Sequence, residues 1–193
     1  MKLPLSFYQR EDVVLISREL LGKFLVTNTN GVITSGIITE TEAYAGVTDK
    51  ASHAYGGRRT ARTETMFGAG GVAYVYLCYG IHHLFNVVTN KEDIPHAVLI
   101  RAIQPVDGMA TILRRRGMKE QKKNTSAGPG TVSQALGIQV RSNGLSLTGN
   151  KIWIEDRSLI IKQSDIITGS RIGVDYAGKD AKLPYRFLIK TNF

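Results

Sequence analysis

Carboxylates, aromatics and arginines crowd into one stretch of this chain, Thr39 to Thr89. Its opening run, Thr39-Glu40-Thr41-Glu42-Ala43-Tyr44, sets two acids and a tyrosine at alternate positions. The stretch continues through His53, Gly56-Gly57-Arg58-Arg59, Arg62 and Tyr74-Val75-Tyr76 to Tyr79 and Asn86, and holds five of the eight tyrosines. Three chemistries suit these residue types. Glu40, Glu42 and His53 are possible ligands for a divalent metal, but no His-x-x-x-His or paired-Cys spacing accompanies them, and adjacent His82 and His83 on a strand point to opposite faces. A covalent nucleophile needs an activated Ser or Cys. There is no Gly-x-Ser-x-Gly, and the lone Cys78 lies in a strand pattern. Nucleic-acid handling is the third. Tyrosines such as Tyr44 and Tyr76 can sandwich a planar base, at about 1–3 kcal/mol per stack. Arg58, Arg59 and Arg62 can reach phosphates, a tip tyrosine can wedge between base pairs, and one carboxylate beside such a pocket can activate water. Each residue alone has an ordinary reading: Tyr74 and Tyr76 as core, Glu40 as a surface ion-pair partner. Their co-occurrence favours the third chemistry.

To share a site, these side chains must be carried on strands and turns. Glu11 to Leu21 predicts a first helix from its one-sided stripe of Val13, Val14, Ile16, Leu20 and Leu21, with Gly22 as its stop. Lys23–Thr29 reads as a strand, Asn30-Gly31 as a two-residue hairpin turn, and Val32–Ala43 as the return strand that delivers Glu42 and Tyr44. Strict alternation puts Ile38, Glu40, Glu42 and Tyr44 on one face. Ala45–Gly71 is long and irregular, the kind of loop that is usually functional. Val72–Cys78 is a strand with Tyr74 and Tyr76 on one face. Tyr79-Gly80 turns the chain, Ile81–Thr89 returns it, and Tyr79 stands at or near an exposed tip.

Further on, His96–Gln104 is a strand and Asp107–Arg116 a helix, capped by Asp107 and ending in Arg114-Arg115-Arg116. With Lys119, Lys122 and Lys123 these arginines read as a solvated basic helix end. Gly128-Pro129-Gly130 interrupts the chain before a helix at Thr131–Leu136 that Gly137 stops. From Leu145 to Phe193 short strands are expected at Ile152–Ile154, Leu159–Ile161, Arg171–Val174 and Tyr185–Ile189. The expected fold is α+β: a single domain over residues 1–193, mainly a curved antiparallel β-sheet with a few peripheral helices and a protruding β-hairpin.

Composition narrows the partner. The chain has 193 residues, 42% hydrophobic and 21% charged, as an ordinary globule does. No apolar run is long enough for a membrane helix, the N-terminal residues lack a signal-peptide core, and a single Cys forms no internal disulfide. A cytoplasmic home follows, nucleoid-associated if the source is bacterial. Lys and Arg number 25 against 16 Asp and Glu, a net charge of +9 that attracts polyanions, nucleic acid above all.

The pattern Glu40-Thr41-Glu42-Ala43-Tyr44, His53, Gly56-Gly57-Arg58, Met66-Phe67, Tyr74-Val75-Tyr76-x-x-Tyr79-Gly80, Asn86 and Leu99-Ile100-Arg101-Ala102 resembles the alkyladenine (3-methyladenine) DNA glycosylase family. Weaker echoes at Gly128-Pro129 and Arg171-Ile172-Gly173-Val174 extend the resemblance over nearly the whole chain. It implies a DNA repair glycosylase acting on double-stranded DNA without a metal or cofactor; with no Lys from Thr39 to Tyr44 to form a Schiff base, a monofunctional hydrolase that acts as a monomer is expected. In that scheme Glu42 is the general base that activates water, and Arg101 and the carbonyl of Val174 help hold the water. Tyr44, His53 and Tyr76 wall the pocket for a flipped base, Asn86 disfavours normal guanine, and Tyr79 fills the gap left in the duplex. The implied substrates are 3-methyladenine, 7-methylguanine, hypoxanthine and ethenoadenine. One departure stands out: Gly130 follows Gly128-Pro129 where the family carries Ser-Lys, which leaves a phosphate contact there open. Two other readings remain at this point. One is a non-catalytic module that grips or bends nucleic acid with the same aromatics and arginines. The other is a metal hydrolase on Glu40, Glu42 and His53.

Overall fold

A computed structural model describes residues 1–190; the last residues of the domain range and of the C-terminal strand region lie outside it. Two short helices come first, α1 (Leu5–Tyr8) and α2 (Val13–Glu19). Asp12 caps α2, its carboxylate accepting the N–H groups of Val14 and Leu15 at 2.9 Å each. Strands β1 (Phe24–Thr29) and β2 (Val32–Tyr44) follow as a hairpin. Its turn is Asn30-Gly31, at φ 53° and 84°, the left-handed pair that a two-residue hairpin loop requires.

The stretch from Ala45 to Val72 has no long regular element, only tight helical turns at Gly46–Thr48, Tyr55–Gly57 and Glu64–Phe67. A second hairpin pairs β3 (Ala73–Cys78) with β4 (His82–Thr89), and β5 (His96–Pro105) returns beside β4. Helices α3 (Met109–Arg116) and α4 (Pro129–Leu136) are followed by β6 (Ile152–Glu155), β7 (Ile166–Gly169), a turn at Asp175–Lys182 and β8 (Arg186–Ile189). All pairings are antiparallel, in the order β3-β4-β5-β2-β1-β6, with β8 bridging β2 to β7. The architecture is α+β: a curved antiparallel sheet with few helices. Among the described residues no helix is long and apolar enough to cross a membrane.

The hub is β2, 13 residues long. Its first half pairs with β1, its second half with β8 through Glu40↔Leu188 to Glu42↔Arg186, and its other edge with β5. The register against β5 slips between Ile38 and Glu40 and again between Glu40 and Thr41. Such a bulge rephases the alternation and corrects the expectation that Ile38 shares a face with the acids. Ile38 joins the main core with Ile100 and Ile103, and past the bulge it is Ala43 that stays in this core. Thr41 Oγ1 likewise donates to the Ser17 carbonyl of α2 at 2.8 Å. Glu40, Glu42 and Tyr44 are left together on the other side.

The main core gathers Ile16 of α2 and Leu20 at its C-terminal cap, Ile112 of α3, and Val132 and Leu136 of α4 against the sheet. Two smaller clusters lie apart from it: Ala54, Met66, Phe67, Tyr74, Val88 and Ala97, with Tyr76 packed on them, and Ala51, Val174 and Ala177, with Tyr44 packed on them.

Several sequence expectations need correction. Asp107 does not cap α3. Gly108, at φ 76°, occupies the cap position, and the Asp107 carboxylate instead accepts from Ser35 and Arg157. The arginines of α3 are not all solvated: Arg115 Nη1 donates to Thr34 Oγ1 and the Ala135 carbonyl at 3.1 Å each, and Arg116 Nε to the Thr125 carbonyl at 2.8 Å. Helix α4 begins at Pro129, whose missing N–H is harmless in a first turn. Leu159–Ile161 and Arg171–Val174 are not strands, whereas Ile166–Gly169 is one.

Candidate active site

A cavity of about 680 Å³ opens between the β3–β4 hairpin, the Ala45–Val72 loop and the segment from Ile172 to Tyr176. That volume suits a small organic ligand or one nucleoside, since such sites run to ~300–1,000 Å³. Tyr44, His53, Tyr76, Tyr79, Asn86, Arg62, Arg101 and Val174 all reach its wall, so most of the sequence-predicted residues converge here.

The aromatics are locked to one another. His53 Nδ1 lies 2.9 Å from Tyr74 Oη, its ring is 4.7 Å from that of Tyr76 at 72°, and Tyr74 and Tyr76 are 5.4 Å apart. The Arg62 guanidinium stands 4.7 Å over the Tyr76 ring. Asn86 is buried and donates from Nδ2 to the Tyr74 carbonyl at 3.2 Å, which orients its amide. Burial, reinforced by the Arg62 and Arg58 charges, pushes the His53 imidazole down to about 4, so it is neutral at physiological pH.

This sets a stability signature. As pH falls from about 6.5 to about 4, the unfolded chain takes up a proton that folded His53 refuses, and stability is lost across that window. Above it, His53 contributes nothing to the pH dependence. His53→Gln is expected to flatten the fall in melting temperature between pH 7 and pH 4 relative to wild type, and thermal melts across that range check it.

Glu42 is fully buried and sits behind the cavity wall rather than on it. Its neighbours Tyr44, Arg101 and Ile172 form that wall. Glu42 Oε1 accepts the Ile172 N–H at 2.8 Å and has Arg101 Nη1 at 3.4 Å, while Oε2 accepts from Tyr44 Oη at 2.8 Å. Burial and the adjacent Glu42 charge hold the Tyr44 phenol far above its usual range, so it remains a donor. A carboxylate offers about four acceptor positions; these contacts leave one for a water.

Glu40 is held differently. Its Oε1 takes Arg101 Nε at 3.0 Å and Arg186 Nε at 2.8 Å, so two guanidinium groups neutralise it. Glu40, Glu42 and His53 do not form a metal cage, and among the described residues no three His, Cys, Asp or Glu side chains do. Val174 is buried at the wall, its carbonyl accepting the Ala177 N–H at 2.8 Å with a second lone pair to spare.

The remaining predicted residues divide. Tyr79 is 91% exposed at the hairpin tip, beside exposed Ile81. Arg58 is exposed on the Ala45–Val72 loop. Arg59 is held by Glu64 at 2.7 Å and Asp93 at 2.6 Å and packs over Phe67, so its charge is already matched within the fold. Sequence reasoning missed Ile172 as a donor to Glu42 and Tyr176 at the cavity rim. It also missed a buried Asp49–Arg171 ion pair behind Tyr44. The one visible signal is the Arg171-Ile172-Gly173-Val174 run, whose composition suits a strand but which folds as a bend.

Known proteins are similar to this chain along nearly its whole length. The profile of the family described as methylpurine-DNA glycosylase (MPG) matches residues 6–193. A Clostridium perfringens protein is 45% identical over 200 residues, covering 100% of this chain and 97% of its own length. A Chlamydia abortus protein is 49% identical over 189 residues (97% of each), and one from Bacillus cytotoxicus is 46% identical over 200 residues (100% and 98%). Each of the three is named as a candidate 3-methyladenine DNA glycosylase. With an aromatic cavity backed by a buried carboxylate and a family match along almost its full length, the chain belongs to the methylpurine-DNA glycosylase family and is a DNA glycosylase, a hydrolase of N-glycosyl bonds.

Proposed function

We propose that this enzyme turns alkylated or deaminated purines out of double-stranded DNA into the aromatic cavity and cuts the N-glycosidic bond with a water activated by Glu42. The substrates are 3-methyladenine, 7-methylguanine, hypoxanthine and ethenoadenine, and the product is an abasic site in an uncut strand. It works in base excision repair as a monomer and a single domain, in the cytoplasm at the nucleoid, without metal or cofactor.

The observation that carries this reading is the Glu42 carboxylate, held by Tyr44 Oη, the Ile172 N–H and Arg101 directly behind a cavity walled by Tyr44, His53 and Tyr76. The bond changes balance simply. Glu42 takes a proton from water as its oxygen bonds to the sugar C1′, and the electron pair of the breaking C1′–N bond leaves with the purine. Alkylation at N3 or N7 makes the purine cationic and a good leaving group, so for 3-methyladenine and 7-methylguanine little acid assistance is needed; hypoxanthine and ethenoadenine are neutral, leave with the electron pair as anions and take up a proton from water. The negative carboxylate also stabilises an oxocarbenium-like sugar. A neutral His53 and the phenols of Tyr44 and Tyr76 add no positive charge against a cationic base. Among the described residues no lysine lines the cavity to form a Schiff base, which favours hydrolysis without strand cleavage.

The test incubates the protein with duplexes carrying hypoxanthine, ethenoadenine or 7-methylguanine and then cleaves abasic sites with alkali. Strand breaks at the lesion after alkali, and none before it, are expected; intact strands after alkali on all three overturn the reading. Binding to duplex DNA should also weaken steeply with salt, log K falling with log salt by about 0.9 per phosphate neutralised. Arg59→Ala should barely change that slope, because its partners Glu64 and Asp93 already match its charge, whereas Arg58→Ala should reduce it. Filter binding across a salt series measures both.

A further inference from the structure

Behind the cavity the fold buries an ion pair that the reaction scheme does not use. The side chains of Arg171 and Asp49 are 0% and 1% exposed. Both terminal nitrogens of Arg171 donate to the Asp49 carboxylate, Nη2 to Oδ1 at 2.9 Å. The same nitrogens also reach backbone: Nη1 to the Ala43 carbonyl at 2.8 Å and Nη2 to the Asp180 carbonyl at 3.0 Å. Asp49 accepts in return the N–H groups of Ala45 at 3.1 Å and Ala51 at 3.0 Å. Two loops are thereby fastened to the end of β2 at a single point.

What is fastened there bears directly on Glu42. Ala43 lies between Glu42 and Tyr44, and Ile172, which donates to Glu42 Oε1, is the residue after Arg171. The Arg171 guanidinium stands 4.8 Å from the Tyr44 ring, whose hydroxyl holds Glu42 Oε2. Both protein donors other than Arg101 that orient the carboxylate therefore rest on this pair. Stability is a weak reason to keep it, because burying two charges costs about what their attraction returns, and apolar side chains of similar volume pack loops equally well. Direction is a better reason. A guanidinium is a rigid planar fork, and it holds the Ala43 carbonyl and the 171–172 backbone to the angles that hydrogen bonds demand.

We propose that Asp49 and Arg171 form a positioning pair for the hydrolytic step, holding Tyr44 Oη and the Ile172 N–H on Glu42 so that its remaining acceptor site points at the attacking water. The proposal rests on the Glu42 reading above. Neither residue lies on the cavity wall, so neither is assigned a contact with DNA.

The test is the excision rate constant under saturating enzyme, which reports folded enzyme on bound DNA and is insensitive to a modest loss of folded protein. Asp49→Ala and Arg171→Lys, which keeps the charge but not the fork, are expected to lower it by about 100-fold, and the isosteric Asp49→Asn by about tenfold. The Kd for a duplex carrying a tetrahydrofuran abasic analogue should stay at the wild-type value. Asp49→Asn keeps the question answerable if the other two fail to fold. Wild-type rate constants in the folded variants, or an affinity that falls in step with the rate, overturn the proposal. A wild-type protein that excises nothing refutes the hydrolytic reading itself, a distinct result.

Discussion

Glu42→Gln is expected to lower single-turnover excision by about 10²–10⁴-fold, the range for a lost general base, while duplex binding and the melting profile stay close to wild type. The substitution is nearly isosteric, and the surrounding contacts can survive it. The amide oxygen can still accept the Ile172 N–H and face Arg101. Tyr44 Oη, a donor to the carboxylate, can rotate its proton and accept from the new NH₂. Arg101 keeps Glu40 as a partner at 3.0 Å, so no buried charge is orphaned. What disappears is a group able to take a proton from water. A module that only grips or bends DNA would lose nothing by this change, so unchanged behaviour in every assay would favour that reading. Excision retained within about tenfold of wild type would place the base elsewhere.

Two carboxylates two residues apart raised the question of which one acts, and the structure separates them by their neighbours. Glu40 is engaged by Arg101 and Arg186 and is partly exposed, the profile of an ion-pair hub that holds β8 to β2 and anchors Arg101. Glu42 is fully buried, faces one guanidinium at 3.4 Å and is otherwise held by a phenol and a backbone N–H. The contacts of Glu40 tie β5 and β8 to β2, whereas those of Glu42 run to the cavity-wall residues Tyr44, Arg101 and Ile172.

Local chemistry made part of this legible in advance. Asn30-Gly31 and Tyr79-Gly80 marked both hairpins because turn geometry is written in adjacent residues. The stripe of α2 and the Tyr74–Tyr76 pair followed from helical and strand periods. Failures came where a distant partner decides. The β2 bulge is set by how β5 docks, so strict alternation misplaced Ile38. Leu159–Ile161 carries a strand-like composition, yet Ile161 packs as a plug against the main core close to Gly22. Asp107 looked like a cap, but Ser35, 72 residues earlier, and Arg157 claim its carboxylate. Asp49 and Arg171 are 122 residues apart, and no local spacing could have paired them.

Tyr79→Ala is expected to slow excision from a well-paired lesion by about 5- to 150-fold, the equivalent of the ~1–3 kcal/mol of one base–aromatic stack, with folding stability changed by no more than about 0.5 kcal/mol, as for other exposed positions. The geometry carries both halves. The side chain is 91% exposed, so its removal leaves no cavity and the core does not respond. Its backbone sits at φ 51°, where a bulky residue is held at a cost of about 1–3 kcal/mol. A fold that retains an exposed aromatic in a strained turn gains nothing from it in the free protein, so its use lies in what it meets on DNA. Entering the helix as a nucleotide leaves, the ring would restore stacking that extrusion removes. Tyr79→Phe keeps the ring and should behave as wild type. The loss in Tyr79→Ala should be largest for a lesion in a stable pair and smallest for a mismatched one, which flips at lower cost. An equal loss in both contexts would mean that the ring serves binding in general, and a drop in melting temperature would mean that it supports the hairpin instead.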